Sequence, residues 1–199
     1  MRKIKRFYLA FTLTAATACS TVLLATSALA QPANQKLVAA QSEIRFSIKQ
    51  MGVPIEGRFG VFDAQIAFDR TKPEAGKIAF SIDLGSAVVG DADTVKELKK
   101  PDWFNTVKFP AATFASTAIK STGVAGAFEV AGNLVIKGVS RPVVIPVKLA
   151  TAATGSPSIA EGGFGLKRSD FKIGEGDWAD TSIVANEVAV RFKLAVAGL

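Results

Sequence analysis

Apolar side chains recur at every second position through most of this chain, and that period admits little except extended strands with one dry face and one wet face. Over residues 42–49, Ile44, Phe46 and Ile48 alternate strictly with Glu43, Arg45, Ser47 and Lys49. The spacing returns at Ile78, Phe80, Ile82 and Leu84, at Phe128, Val130, Gly132, Leu134 and Ile136, and at Val143, Ile145, Val147 and Leu149. It closes the chain at Val188, Val190, Phe192, Leu194 and Val196. Weaker strands fit 58–69, 112–119 and 163–171, which brings the expected count to eight.

Turn-forming clusters at 52–54, 70–76, 123–126, 137–142, 155–157 and 174–176 separate these runs. One segment, 91–100, reads as helix: acids stand in its first turn, Val95 and Leu98 lie three apart, lysines end it and Pro101 stops it. Short, evenly spaced strands with a single short helix predict an all-β barrel or sandwich. No internal repeat and no linker divides the chain.

Residues 1–30 read as an export signal instead of fold. Arg2, Lys3, Lys5 and Arg6 precede a charge-free run, and Ala28-Leu29-Ala30 offers a small-x-small cleavage site, so the mature domain is expected at 31–199. An uncleaved membrane anchor is the alternative, but seven Ser and Thr residues dilute the run. A lipoprotein reading through Cys19 is disfavoured by Ala16 three residues before it. Loss of the leader lowers the formal charge from +7 to +3, because its four basic residues go with it. Little then supports a nucleic-acid partner, and nothing later in the chain could span a membrane as a helix.

The chain has no histidine, and its one cysteine and one tyrosine, Cys19 and Tyr8, lie in the leader. That excludes Ser-His-Asp and Cys-His catalysis and removes the usual ligands of zinc, copper, haem and iron–sulfur clusters. Signatures of hydrolases, dinucleotide binders, P-loop proteins and zinc proteases are also absent. The acidic loop Asp170, Glu175, Asp177 and Asp180, broken by Gly174 and Gly176, could hold Ca²⁺ or be a solvated turn; its composition favours the turn. No pair of carboxylates stands out for glycoside hydrolysis. The expectation is no catalytic residue, no metal and no cofactor.

Large aromatics mark nearly every segment: Phe46, Phe59, Phe62, Phe104, Phe109, Phe114, Phe128, Phe164, Phe171, Trp103 and Trp178. An outer-membrane barrel would need aromatic girdles on an apolar exterior, whereas here phenylalanines often oppose charged neighbours, which points the apolar face inward. Eight strands enclose either a filled core or room for one ligand, and mixed large and small linings such as Phe128, Val130, Gly132, Leu134 and Ile136 suit the open case.

Several motifs resemble, in order and spacing, the YceI-like family of exported lipid-binding proteins. They are Phe46-Ser47-Ile48-Lys49-Gln50-Met51-Gly52, Gly57-Arg58-Phe59-Gly60-Val61-Phe62, Asp102-Trp103-Phe104-Asn105, and Phe109-Pro110-Ala111-Ala112-Thr113-Phe114. The stretch from Gly132-Asn133-Leu134 to Arg141-Pro142-Val143 and the late Arg168-Ser169-Asp170-Phe171 extend the likeness over about 40–197. The resemblance implies an extended eight-stranded antiparallel, lipocalin-like barrel whose apolar tunnel takes a polyisoprenoid, an isoprenoid quinone or a similar long-chain amphiphile. No chemistry is done on the ligand. Two departures are Gln50, where the family often has His, and Phe109, where Tyr is usual.

On this reading Phe46, Ile48, Phe59, Phe62, Phe114, Phe128, Val130, Leu134, Ile136 and Phe164 line the tunnel. Trp103 and Phe104 form its mouth, and Gln50 can hydrogen-bond a head group. Arg168, with Lys167 beside it, is either the cation for an anionic head or half of an Arg168–Asp170 strand-end pair. Gly132 and Gly138 read as backbone necessities of a twisted barrel. The competing reading is a ligand-free structural or stress-related module with a filled barrel; either form leaves homodimerisation open.

Overall fold

A computed structural model describes residues 34–150, 153 and 156–199. The export leader, its cleavage after Ala30, Cys19 and Gly155 of the expected 155–157 turn lie outside the described residues. Eleven strands form one antiparallel sheet that closes on itself. They are β1 Asn34–Leu37, β2 Glu43–Gln50, β3 Val53–Phe59, β4 Phe62–Ala67, β5 Lys77–Asp83, β6 Ala87–Val89, β7 Ala111–Ser121, β8 Ala127–Ile136, β9 Val139–Ala150, β10 Ser158–Lys167 and β11 Val184–Ala197.

Several of these are halves of longer staves. β1 and β2 both pair with β11, β4 and β3 pair with them, and β5 and β6 extend the row. Counting each end-to-end pair once gives an eight-stave closed barrel, the number the alternation predicts, with β11 bonded to β10 on one side and to β1 and β2 on the other. Closure leaves no exposed edge along most of the sheet. The Met51-Gly52 and Lys137-Gly138 turns each join a pair of staves in two residues, with φ of 49° and 81° and of 50° and 75°, the left-handed values that match strand twist in a tight hairpin.

The one α-helix among the described residues, α1 (Ala92–Leu98), starts where Asp91 accepts the amide hydrogens of Asp93 and Thr94, each at 2.9 Å. It is shorter than the expected 91–100, since Asp91 is its cap and residues 99–105 turn back beneath it.

Two local expectations are corrected, and β1 adds a strand that the alternation does not predict. The strand expected over 58–69 is interrupted at Gly60 and Val61, and pairing begins at Val53, within the expected turn. β1 has no apolar alternation; it forms because Gln35 is buried by a reciprocal pair of bonds with the Phe68 backbone, 3.0 and 2.8 Å. The strand expected over 163–171 is β10, which begins at Ser158, and residues Arg168–Phe171 leave it as a 3-10 turn. That turn fills a gap. β9 and β10 pair only where Val147–Ala150 meets Ile159–Gly162, and above that seam Pro142 and Pro146 of β9 have no amide hydrogen to donate. The turn packs against β9, β10 and β11.

Candidate ligand chamber

The inward positions of the staves line two adjacent apolar spaces. The first has walls that include Ile66, Phe68, Ile119, Leu149, Leu194 and Val196 and about 1080 Å³ of space between atoms, part of it opening to solvent. The second, toward α1, includes Ile55, Leu84, Val89, Leu98, Trp178 and Val188 and about 1500 Å³ on the same measure. Ile44, Ile82, Leu134, Phe164 and Val190 belong to both walls and form the waist between them.

The residues singled out from sequence fall as follows. Phe114, Phe128 and Val130 line the first space; Phe46, Ile48, Gln50, Phe59, Trp103, Phe104, Ile136 and Arg168 line the second; Leu134 and Phe164 line both. Phe62 lines neither. It stacks on Phe80 with ring centroids 6.0 Å apart, and Phe80 is the member of that pair that reaches the first space. Sequence reading passed over Ile44, Ile82 and the inward face of β11 as site residues. The signal was present, because Val188, Val190, Phe192, Leu194 and Val196 carry the same alternation as the strands that were chosen.

The rings do not fill the lumen because three of them lie against glycines of neighbouring strands. Phe46 covers Gly57, Phe114 covers Gly132 and Phe192 covers Gly162, each ring occupying the place where a Cβ would stand. Gly132 is a backbone necessity by close approach and not by φ, which is not left-handed: a Cβ there would stand 2.5 Å from both the Ala115 carbonyl oxygen and the Phe114 ring. Gly138 does carry a φ of 75°, as a tight hairpin requires.

Arg168 is the principal correction. The side chain is 2% exposed, and its donors are committed to five backbone carbonyls. Nε donates to Ala185 at 3.2 Å, Nη1 to Ile173 and Gly174 at 2.9 and 2.7 Å, and Nη2 to Trp178 and Val184 at 2.7 and 2.8 Å. A guanidinium has five N–H groups, so none is left for a head group. No carboxylate pairs with it among the described residues, which also sets aside the Arg168–Asp170 pair. Desolvation lowers its pKa from the ordinary guanidinium value, and the carbonyl dipoles take the place of a counterion. The residue is a strut that ties the 3-10 turn at 168–171 to the 173–178 loop and to the start of β11.

The mouth lies elsewhere than Trp103 and Phe104. Gln50 on one side and Asp93 and Thr94 on the other line the second space and are exposed, whereas Trp103 is 8% exposed and Phe104 half-buried, deeper in the wall. Trp103 packs on Trp178 with centroids 5.5 Å apart, and Trp178 Nε1 donates to Glu97 Oε1 at 3.2 Å. Lys100, hydrogen-bonded to Glu97 at 2.6 Å, holds that carboxyl below its ordinary pKa. By contrast the buried Trp103 Nε1–H has no acceptor among the described residues. Buried donors are almost always partnered, and this one is an exception enclosed within the wall.

The acidic loop does not gather. Glu175 accepts from Lys137 Nζ at 2.9 Å, Asp180 accepts from Ser182, and no group of three or more metal-ligating side chains forms among the described residues.

Comparison with known proteins places this geometry. The YceI-like domain family matches residues 35–196. A protein of Azotobacter vinelandii described as a UPF0312 protein is 36% identical over 135 residues, 65% of this chain and 70% of its own length. The crystal structure of Burkholderia cenocepacia BcnA superposes with a TM-score of 0.75 at 40% identity, over 81% of this chain and 99% of that one. A polyisoprenoid binding domain from Saccharophagus degradans, implicated in plant cell wall breakdown, shares the fold at a TM-score of 0.64 and 17% identity, over 81% of this chain and 97% of its own. With the closed barrel, the hollow interior and the ordered motifs all in place, the chain belongs to the YceI-like family.

Proposed function

We propose that this protein is exported to the periplasm, where it binds and carries a long apolar lipid such as a polyisoprenoid or isoprenoid quinone without altering it. The observation that carries the reading is the interior itself: two apolar spaces meeting at the Ile44–Leu134 waist, walled by aliphatic and aromatic side chains from every stave. Such a space suits a chain longer than either half alone. Each methylene transferred from water contributes about 0.8 kcal/mol, so chain length dominates affinity.

The polar groups around the second space favour an uncharged head bearing an acceptor oxygen. Its one cation, Arg168, has no donor to give, and the carboxylates of Asp93 and Glu97 on the helix side already hold Lys96 at 2.8 Å and Lys100 at 2.6 Å, so the lining offers no unpaired charge to a phosphate. Gln50 and Thr94, exposed in the lining of the second space, are the donors such an oxygen would meet. Export rests on the basic n-region, the charge-free run and Ala28-Leu29-Ala30.

Native mass spectrometry of protein purified from its own periplasm tests both parts. The expected species begins at Gln31 and carries one long-chain lipid that leaves on organic extraction. A folded protein that arrives empty and takes up neither polyprenol nor quinone after delipidation refutes the carrier and leaves a ligand-free module.

A further inference from the structure

The lining of the second space runs out past the mouth. On β3 the inward positions are Phe59, Gly57 and Ile55, and the next in register, Val53, is 59% exposed at the strand's outer end. Met51, at the tip of the adjoining turn, is 77% exposed. Its amide hydrogen donates to the carbonyl of Ile183 at 2.8 Å, which brings a third apolar side chain, 40% exposed, to the same place. Just inside this trio stands the Gln50–Val184 pair, both members of which line the space. A tight hairpin tip is ordinarily polar, and three apolar residues here, held together by a backbone bond, form an apolar lip continuous with the chamber.

We infer that the lip formed by Met51, Val53 and Ile183 inserts into the surface layer of a lipid bilayer and holds the mouth against the membrane while the cargo chain slides between the two. The inference rests on the lipid-carrier reading, and it explains why the lining does not stop at the rim. A long apolar chain that left the bilayer through water would expose all its methylenes at once, whereas one that follows Met51 and Val53 to Ile55 stays covered. Lys49 and Asp180, charges of opposite sign, flank the lip in sequence, so the contact is apolar and not an attraction to anionic lipid.

The test is transfer of a fluorescent polyprenol from phosphatidylcholine vesicles to the delipidated protein. The wild-type rate is expected to rise with vesicle concentration, as contact-dependent transfer requires, and to be unchanged in about 0.5 M salt, where screening is nearly complete. Met51→Asp with Val53→Asp should slow it at least tenfold, while equilibrium binding of the same probe delivered from cyclodextrin and the melting temperature stay as in wild type. Met51→Trp, which keeps the lip apolar, should transfer normally and gain fluorescence quenching by brominated phosphatidylcholine.

A double variant that transfers at the wild-type rate, or a wild-type rate that ignores vesicle concentration, overturns the lip and leaves the carrier intact. So does a lip that proves to be a self-interface, seen as concentration-dependent dimers that the double variant abolishes without slowing transfer. If neither protein takes the probe from cyclodextrin, the carrier reading fails and the lip with it.

Discussion

Arg168→Lys separates a structural cation from a ligand-binding one, because it keeps the charge and changes only the donors. The guanidinium offers five N–H groups in a fixed fan, and all five meet carbonyls at 2.7–3.2 Å. An ammonium offers three from one point, so at least two carbonyls lose their donor. A buried polar group left without its partner costs roughly 1–3 kcal/mol, which puts the loss at about 2–6 kcal/mol. The lower part of that range is expected, since the bonds to Ala185 and Trp178 are part-buried and water can replace them. At roughly 2–4 °C per kcal/mol for a domain of this size, a loss of about 2–3 kcal/mol lowers the melting temperature by about 4–12 °C. Urea unfolding of the delipidated protein measures it with ligand effects removed, and an unchanged m-value would show that the unfolded reference has not moved. A loss below about 1 kcal/mol, or a selective loss of affinity for phosphate-bearing lipids with stability intact, would refute the strut and return the guanidinium to the head group.

Gly132→Ala should cost about 1–3 kcal/mol, since its Cβ would stand 2.5 Å from both the Ala115 oxygen and the Phe114 ring, whereas Gly165→Ala, with no atom within 4 Å of its Cβ, should be nearly neutral in the same melts. Trp103→Phe should change stability little in the same melts, because relief of a buried donor without a partner offsets the packing that the smaller ring loses against Trp178. Backbone hydrogen bonds from Thr94 and then Asp93 hold the Asp91 carboxyl below its ordinary pKa. Its stabilisation is therefore complete above the unfolded value and disappears as pH falls through the lower folded one, so the stability gap between wild type and Asp91→Asn should be widest near neutrality and close in acid. Extraction of bound lipid should lower the melting temperature without unfolding the barrel, and re-addition at about 100 times Kd should restore roughly 2.7 kcal/mol.

How much was legible before the structure depended on whether a residue's role follows from period or from neighbours. The alternation through Ile44, Phe46 and Ile48, or Val188 to Val196, fixes which face is dry without reference to any partner, so the staves and their inward sides follow from it. Phe62 has the inward register and still misses the lumen, because Phe80 on the next strand stands in front of it. Gln35 looks like an exposed polar residue until its amide is seen to complete the Phe68 backbone. Arg168 was misread for the same reason: a lone arginine near a motif implies an anion, but the five carbonyls that claim it come from residues 173–185, which the local pattern does not place. Trp103 was placed at the rim from its position after the helix, and the reversal of residues 99–105 carries it inside.

The hollow interior follows from pairings that no count of phenylalanines discloses. Twelve rings beyond the leader could fill an eight-stave barrel, and a ring that projects to the axis does so. Here Phe46 and Phe192 each face a glycine in direct register, Gly57 and Gly162, and Phe114 reaches diagonally over Gly132. A ring laid on a glycine keeps its contact area against the wall and leaves the axis free, so aromatic packing stabilises the barrel without closing it. The polar groups are divided on the same logic. Among the described residues the buried guanidinium of Arg168 is consumed in tying its turn to the 173–178 loop and the start of β11, which leaves it no donor for a ligand, and the buried donor without a partner is the uncharged Trp103 Nε1–H. On the proposed carrier reading, an apolar interior of this kind with no available cation would select for chain length before head group.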